Sequence, residues 1–271
     1  MTKSRAFLKW AGGKFKLVDE IAARLPQAER LVEPFVGAGS VFLNTDYPSY
    51  LLSDINPDLI GLYETLKQTP ERYLAESNKL FIDSNNRKEA YYGLRAEFNQ
   101  CHDRFDRAVL FLYLNRYGYN GLCRYNKSGG FNVPFGSYKR PYFPEKELRF
   151  FAEKAQKATF LCEGYAQTFA RTQPGDVVYC DPPYLPLSTT SNFTTYASGG
   201  FSLDDQAMLA THAEKTVRDK RLAVLISNHD TPLARKLYDK AALDTIQVAR
   251  SISQNGRGRK KVDELMALYR A

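Results

Sequence analysis

The sequence predicts an α/β fold in which a parallel sheet, covered by helices on both faces, is interrupted by a separate, mainly helical insert. Short apolar runs alternate with helical patterns over 31–54 and again over 159–268, which is typical of such a sheet. The segment between them, 57–144, has helical patterns and no obvious buried strand. Apolar residues make up 44% and charged residues 25% of the 271 residues, the balance of a globular protein with a sizeable core.

The sheet is predicted from apolar runs that have the length and composition of buried strands. These runs are 31–32, 51–52, 177–179, 222–226 and 246–248. Helical periodicity separates the later ones, at 207–217 and at 233–241. We therefore expect strands and helices to alternate along the chain.

The insert is predicted to contain helices followed by a β-hairpin. Its helical patterns span 58–67, 70–81, 88–98 and 105–114. The turn-forming residues 126–130 then separate two short extended stretches, which indicates a hairpin. We accordingly assign 1–56 and 145–271 to one domain and 57–144 to a second, inserted domain.

The net charge of +8 favours a polyanionic partner, although a solvated basic surface explains it equally well. No apolar run approaches the roughly 18 residues of a membrane helix, and 1–16 lacks the apolar centre of a secretory signal. The four cysteines and three histidines form neither a Cys-x-x-Cys pair nor a cluster with metal-ligand spacing. We therefore expect no membrane association and no metal, and a location in a reducing cytoplasm.

A glycine turn follows the first predicted strand. Gly37 and Gly39 permit a tight turn and let a ligand approach bare backbone. The next predicted strand ends at Asp54, where a carboxylate can accept both hydroxyls of an adenosine ribose. Phe42 occupies the position of the third glycine of the dinucleotide fingerprint, which weakens a nicotinamide or flavin interpretation. The pattern fits a nucleoside ligand without a pyrophosphate, such as S-adenosylmethionine, while a purely structural turn stays open.

The most informative run is 177–184, a predicted strand that ends in Asp181-Pro182-Pro183-Tyr184. The strand places Asp181 at the carboxyl edge of the sheet, where open α/β folds bind their ligands. The prolines fix the backbone and remove amide donors, which leaves carbonyl acceptors. Cys180 precedes this corner, and we expect it to be an inert core thiol rather than a nucleophile.

This corner suits an exocyclic amino group on a planar base. The Asp181 carboxylate and the Pro182 carbonyl can accept its two N–H bonds and favour a more tetrahedral nitrogen, whose lone pair then points at a sulfonium methyl for in-line displacement. Positioning and electrostatics accelerate such a reaction without a covalent intermediate. Tyr184 would stack on a base that has swung out of its duplex.

The chain resembles the DNA adenine methyltransferase (Dam) family of enteric bacteria and their relatives, nearly from end to end. The resemblance is carried by the runs 5–14, 33–42, 112–125, 181–184, 226–230 and 260–265. It implies a Rossmann-like methyltransferase sheet, methylation of the adenine amino nitrogen in double-stranded GATC, S-adenosylmethionine as cofactor and S-adenosylhomocysteine as product. It further implies that Trp10, Lys14, Asp54 and Asp181 contact the cofactor and that Phe35 lines the same pocket. Family roles in mismatch repair and DNA replication, and association with the nucleoid, are inherited as expectations.

The second half of the insert combines cations with stacking surface, as a nucleic-acid contact requires. Basic and aromatic residues are interleaved over 116–144 and no acidic residue occurs there. A hairpin can enter the major groove, where an arginine fork matches the O6 and N7 atoms of guanine. A solvated basic hairpin is the alternative. The basic run 257–261 is either a second phosphate contact or simply exposed.

The resemblance assigns individual roles in DNA binding. Arg124 would read one guanine and Lys9 the guanine nearest the target, while Leu122 and Pro134 would touch the thymine methyl group. Tyr119 would wedge into the stack beside the flipped adenine, with Asn120 facing the orphaned thymine. The candidates for phosphate contacts are Arg95, Arg116, Asn126, Asn132 and Lys139.

The sequence disfavours some other functions and leaves two alternatives open. A glutamine-side-chain methyltransferase would usually have Asn in place of Asp181, and a non-catalytic DNA-binding regulator would not need the DPPY corner. An RNA adenine methyltransferase would use identical chemistry and stays open, as does a restriction-linked role. Because each methyl transfer addresses a single base, about which the site is asymmetric, we expect a monomer.

Overall fold

A seven-stranded sheet organises the fold. The computed structural model describes residues 3–185, 201–249 and 261–270. The strands in chain order are β1 (Arg30–Glu33), β2 (Ser49–Asp54), β3 (Ala158–Cys162), β4 (Asp176–Cys180), β5 (Ala223–His229), β6 (Ala242–Ala249) and β7 (Lys261–Tyr269). Their order across the sheet is β3-β2-β1-β4-β5-β7-β6.

The predicted parallel sheet is confirmed for its centre. Strand β1 pairs in parallel with both β2 and β4, and β4 pairs in parallel with β5. All five residues of β4 are buried, as expected for a strand covered on both faces. Asp54 is the last residue of β2 and Asp181 follows the last residue of β4, so each carboxylate lies at the carboxyl end of a strand parallel to β1.

One side of the sheet differs from the prediction. Strand β7 is antiparallel to both of its neighbours, β5 and β6. The run 246–248, predicted to be a buried strand, lies in β6 at the edge, where Ile246 is half-buried and Gln247 is exposed. That prediction of burial was wrong because an edge strand keeps an open side. Strands β3 and β7 were not predicted; Asp263 and Glu264 interrupt the apolar pattern of β7.

Several of the helices begin at a residue whose side chain caps them. They are α1 (Val18–Arg24), α2 (Ser40–Asn44), α3 (Pro57–Gln68), α4 (Pro70–Asn78), α5 (Lys88–Gln100), α6 (Arg104–Tyr117), α7 (Glu145–Lys154), α8 (Tyr165–Ala170), α9 (Leu203–Lys220) and α10 (Pro232–Leu237). A capping box between Ser202 and Asp205 begins α9, and Arg221 in the left-handed conformation ends it. Helix α10 ends before the predicted 241, whereas the four helices predicted within 57–144 are confirmed with shifted ends.

The residues of the predicted hairpin approach each other through isolated bridges rather than a continuous ladder. Tyr125 pairs with Phe131 and Gly118 with Phe135, both antiparallel. The Asn126 N–H donates to the Gly130 carbonyl over 2.8 Å, which closes the tip. This segment therefore has the turn that the sequence predicts, without extended strands on either side.

The chain packs as two units. The first comprises the described residues within 1–18, 36–46 and 54–162, and the second comprises those within 19–35, 47–53 and 163–271. An aromatic cluster forms part of the core of the first unit, where the Phe151 ring lies 5.0 Å from Phe7 and 4.6 Å from Tyr63. In the second unit the central strands β4 and β5 supply fully buried aliphatic side chains. Within the described ranges, no helix is both long and apolar enough to span a membrane.

Candidate active site

The predicted glycine turn of the first unit has backbone that only glycine adopts readily. Gly37 has a φ of 46° and Gly39 a φ of 71°, where Gly39 precedes α2. A Cβ atom on Gly37 would lie 2.9 Å from the indole nitrogen of Trp10. The Trp10 ring therefore packs directly against bare backbone, which brings two predicted cofactor contacts together.

Asp54 joins the same group. Its Oδ2 accepts a hydrogen bond from the Gly37 N–H over 3.2 Å, and its Oδ1 accepts one from the Asn56 N–H over 3.0 Å. Burial raises the pKa of this carboxyl group, and the backbone N–H groups of Asn56, Gly37 and Ile55 oppose the rise. Each carboxylate oxygen retains further lone-pair capacity, so this group can still accept ribose hydroxyls.

A buried cation lies in the segment before this turn. Lys14 is only 7% exposed, and its Nζ donates to the Gly12 carbonyl over 2.8 Å. Lysine is seldom buried unless a partner offsets the desolvation of its charge. A buried ammonium of this kind suits the carboxylate of an amino-acid ligand.

In the second unit, Asp181 follows β4 and is held from β5. The Ser227 hydroxyl lies 3.3 Å from Asp181 Oδ1 and donates to it. The preceding thiol, Cys180, is completely buried, and burial raises its pKa well above the ordinary value. The expectation that Cys180 is an inert core thiol is in accord with this environment.

The corner after Asp181 is braced from behind by buried amides. Gln206 Nε2 of α9 donates to the Pro183 carbonyl over 2.7 Å, and Asn228 Oδ1 of β5 accepts from the Leu185 N–H over 3.0 Å. The two amides also bond to each other and to the Tyr238 hydroxyl. The Pro183 carbonyl is therefore already occupied by a hydrogen bond within the protein.

Tyr184 is held through both its hydroxyl group and its ring. Its hydroxyl donates to Glu264 of β7 over 2.9 Å, and its ring lies edge-on to His229 with centroids 4.9 Å apart. Burial, together with the charge of Asp181, raises the pKa of Tyr184 well above the ordinary value, so the phenol stays protonated.

Phe35 belongs to an aromatic cluster in the second unit that the sequence does not predict. Its ring stacks on Tyr165 at 5.6 Å and meets Phe201 edge-on at 5.6 Å. The bracing residues were missed as well. The run 226–230, which carries part of the family resemblance, was the available signal for Ser227 and Asn228. The partners Tyr165 and Gln206 lie in helices and Phe201 lies just before one, and none of the three stands in a pattern that offers such a signal.

Arg124 is oriented by Asn132 across the hairpin. Its Nε donates to Asn132 Oδ1 over 2.7 Å, and its Nη2 donates to the Asn132 carbonyl over 3.1 Å. The Asn126 side-chain oxygen accepts from the Ser128 and Gly130 N–H groups and shapes the tip. Both asparagines thus have roles within the hairpin, and their contact with phosphate stays a prediction.

Lys9 is held against the turn that carries Tyr119 and Asn120. Asn115, which is 1% exposed, accepts from the Lys9 N–H over 2.9 Å and donates to its carbonyl over 2.7 Å. The Lys9 Nζ donates to the Arg116 carbonyl over 3.1 Å and lies 3.6 Å from the centroid of the Tyr138 ring. Burial, and secondarily the charge of Arg116, lowers the pKa of Lys9 to about 8.

The remaining predicted DNA contacts differ in accessibility. Tyr119 is 49% exposed, and Asn120, Pro134 and Lys139 are exposed, whereas Leu122 is half-buried. Two of the predicted cations are engaged with backbone: Arg95 donates to the Val133 carbonyl, and Arg116 donates to the carbonyls of Phe7 and Tyr142. Residues 257–260 of the basic run lie outside the described residues. In the described part of the chain, no group of three or more His, Cys, Asp or Glu side chains could hold a metal ion.

Comparison with known proteins identifies the family of this chain. Residues 10–252 match the D12 class N6 adenine-specific DNA methyltransferase family. Proteins named DNA adenine methylase are similar over full length: 63% identity for that of Vibrio cholerae O395 (99% of this chain, 97% of that one) and 60% for that of Escherichia coli K12 (100% and 97%). A solved precorrin 8w decarboxylase, 11% identical and aligned over 100% of both chains with a TM-score of 0.42, is too distant to add to the assignment. The chain belongs to the D12 class N6 adenine-specific DNA methyltransferase family.

Proposed function

We propose that this protein transfers a methyl group from S-adenosylmethionine to the N6 amino nitrogen of adenine in double-stranded GATC. The observation that carries the proposal is the Asp181 carboxylate, which follows β4 and accepts from Ser227, in front of a proline corner braced from behind. The same proposal includes the domain assignment made from the sequence. It also includes a monomeric state and a cytoplasmic, nucleoid-associated location.

The residues of the first unit fit the cofactor. Asp54 retains acceptor capacity for ribose hydroxyls, Gly37 leaves room beside its backbone for Trp10, and Lys14 supplies a buried positive charge for a carboxylate. Gly39 permits the turn, and the family resemblance assigns Phe35 to the same cofactor. S-adenosylmethionine, when bound, supplies an electrophilic methyl group on a sulfonium.

The residues of the corner activate the amino group of adenine. The Asp181 carboxylate and the Pro182 carbonyl accept its two N–H bonds, which localises the nitrogen lone pair toward the methyl group. Transfer to this nitrogen would form the N–C bond as the C–S bond breaks, and the displaced amino proton would pass to water. Tyr184 stacks on the flipped base, since its ring is fixed by Glu264 and His229. The acceleration comes from positioning and fixed acceptors.

The DNA is read by the insert and the segment before it. Arg124, already aimed by Asn132, reads one guanine, and Lys9 reads the guanine nearest the target. Tyr119 enters the stack beside Asn120. Leu122 and Pro134 touch the thymine methyl group, and the phosphates are contacted by Arg95, Arg116, Asn126, Asn132 and Lys139.

The proposal is tested by methyl incorporation from labelled cofactor. The substrates are duplexes that contain GATC, GTTC or no site, together with an RNA duplex that contains GAUC. We expect incorporation into the GATC duplex only. Equal labelling of the three DNA duplexes would refute the sequence specificity, and preferential labelling of RNA would refute the substrate.

Two substitutions separate chemistry from recognition. Asp181→Ala should abolish turnover while GATC duplex binding, measured by fluorescence anisotropy, persists. Arg124→Ala should lose about 1–3 kcal/mol of discrimination at one base pair, with Arg140→Ala, an exposed cation of the same segment, as the matched control. Unchanged discrimination in Arg124→Ala would show that the hairpin does not read that base.

A further inference from the structure

A buried polar cluster of the first unit joins the hairpin to helices α3 and α6. Asp58 near the start of α3 is 6% exposed, and it accepts from the Tyr125 hydroxyl over 2.5 Å. Arg107 of α6 donates to both carboxylate oxygens of Asp58, with Nη2 3.1 Å from Oδ2. The Arg107 guanidinium also donates to the carbonyls of Phe98 and Cys101 at the end of α5. A buried carboxylate cannot lose such partners cheaply, so the cluster holds these elements in one arrangement.

The cluster continues to the carboxylate that the proposed function assigns to the ribose. Asn56 caps α3 by accepting from the N–H groups of Asp58 and Leu59, and its own N–H donates to Asp54 Oδ1 over 3.0 Å. Its Nδ2 lies 3.2 Å from Cys123 Sγ, and its Oδ1 lies 3.5 Å from the Tyr125 hydroxyl. Asn56 therefore contacts Asp54 on one side and the first part of the hairpin on the other.

At its other end the cluster reaches the hairpin, next to the arginine that the proposed function assigns to base reading. Tyr125 is bridged to Phe131 across the hairpin, and the two rings meet edge-on at 5.6 Å. The preceding residue is Arg124, whose carbonyl accepts from the Asn132 N–H over 3.0 Å. The Tyr125 hydroxyl thus ties the hairpin to Asp58, beside the bonds that Asn99 makes to the backbone of Phe131.

We propose that Tyr125 and Asp58 are positioning residues that couple the occupancy of Asp54 to the placement of the DNA-reading hairpin. A ligand that fixes Asp54 also fixes Asn56, and through it the hydrogen bonds that hold Tyr125 and the hairpin. Cofactor binding then completes part of the ordering of the hairpin that DNA binding requires, so the cofactor increases the affinity for DNA. By thermodynamic linkage, DNA increases the affinity for the cofactor by the same factor. This inference rests on the proposed function, because it takes Asp54 as a cofactor contact and Arg124 as a DNA contact.

The test measures coupling rather than activity. The dissociation constant of a GATC duplex is measured by fluorescence anisotropy with and without saturating sinefungin, a non-reactive amino analogue of S-adenosylmethionine. The proteins compared are the wild type, Tyr125→Phe and Tyr113→Phe. Tyr113 is the matched control, since it is a buried tyrosine of the same unit whose hydroxyl donates to the Asn85 carbonyl over 2.6 Å.

In the wild type and in Tyr113→Phe, sinefungin should tighten DNA binding about fivefold or more, and in Tyr125→Phe the ratio should fall to about one. A merely structural hydroxyl would leave this ratio unchanged. Equal ratios in all three proteins, or an equal loss in both variants, would overturn the coupling while leaving the proposed function intact. If the wild type binds neither sinefungin nor DNA, the proposed function itself fails and the coupling fails with it.

A second variant keeps the test decisive if Tyr125→Phe does not fold, as judged by its thermal melting curve. Asn56→Ser retains a good helix cap and the backbone bond to Asp54, but it is too short to reach Cys123 and the Tyr125 hydroxyl. Its coupling ratio should also fall to about one. A wild-type ratio in Asn56→Ser would overturn the inference.

Discussion

The unusual pKa of Lys9 predicts that discrimination at one guanine depends on pH between 7 and 9. Lys9 is partly buried beside Arg116, and its pKa is lowered to about 8. If Lys9 reads the guanine nearest the target, it does so as a hydrogen-bond-donating cation. That cation is lost as the pH rises through 8, whereas an ordinary lysine would keep it beyond pH 9.

The size of the effect follows from the titration. With a pKa near 8, the protonated share of Lys9 falls from about ten-elevenths at pH 7 to about one-eleventh at pH 9. Because kcat/KM reports the free enzyme, its value for a cognate duplex should fall about tenfold over this range. A duplex without that guanine does not use the ammonium, so its kcat/KM should be insensitive to the titration of Lys9.

The assay is therefore the ratio of kcat/KM for a GATC duplex to that for an AATC duplex or a TATC duplex, measured from pH 6.5 to 9.5 at constant ionic strength. Taking the ratio cancels effects common to both substrates, such as the titration of catalytic groups. Lys9→Arg is the control, because a guanidinium stays charged throughout and its ratio should be flat. A flat ratio in the wild type, or the same fall in Lys9→Arg, would refute the reasoning.

Two further substitutions test the glycine turn and the sheet. Gly37→Ala should weaken sinefungin binding at least about tenfold, because it combines a left-handed backbone with a Cβ that meets the Trp10 indole; Gly129→Ala, with a φ of 80° and open space around it, should bind sinefungin normally. Arg30→Met should lower the free energy of unfolding in urea by about 3 kcal/mol, because Arg30 is the ion-pair partner of Asp176, whose side chain is 1% exposed. Normal sinefungin binding by Gly37→Ala, or an unchanged urea midpoint in Arg30→Met, would contradict these accounts.

Much of the sheet could be predicted because its central strands are continuous apolar runs. Strand β4 is buried throughout, so the composition of 177–179 was sufficient. Strand β7 contains Asp263 and Glu264 among apolar residues, and its position between β5 and β6 depends on long-range pairing that local composition does not encode. For the same reason the edge position of β6 was missed.

The candidate site likewise contains residues that the sequence predicts and residues that it does not. Trp10, Gly37 and Asp54 were predicted individually, and hydrogen bonding and packing bring them together. The amides that brace the Asp181 corner, Gln206 and Asn228, were not predicted. A buried amide is recognised by the bonds it makes in three dimensions, and a helical or strand pattern gives no indication of them.

The placement of β7 between β5 and β6 has a consequence for the order of assembly during synthesis. Strand β6 pairs with β7, and β7 in turn pairs with β5. When β6 leaves the ribosome, its pairing partner β7 has not yet been synthesised, and the edge of β5 that will pair with β7 is still unpaired. This edge of the sheet can therefore be completed only after 261–269 has been translated. Until then the nascent chain exposes an unpaired strand edge, which favours aggregation and which a chaperone could cover.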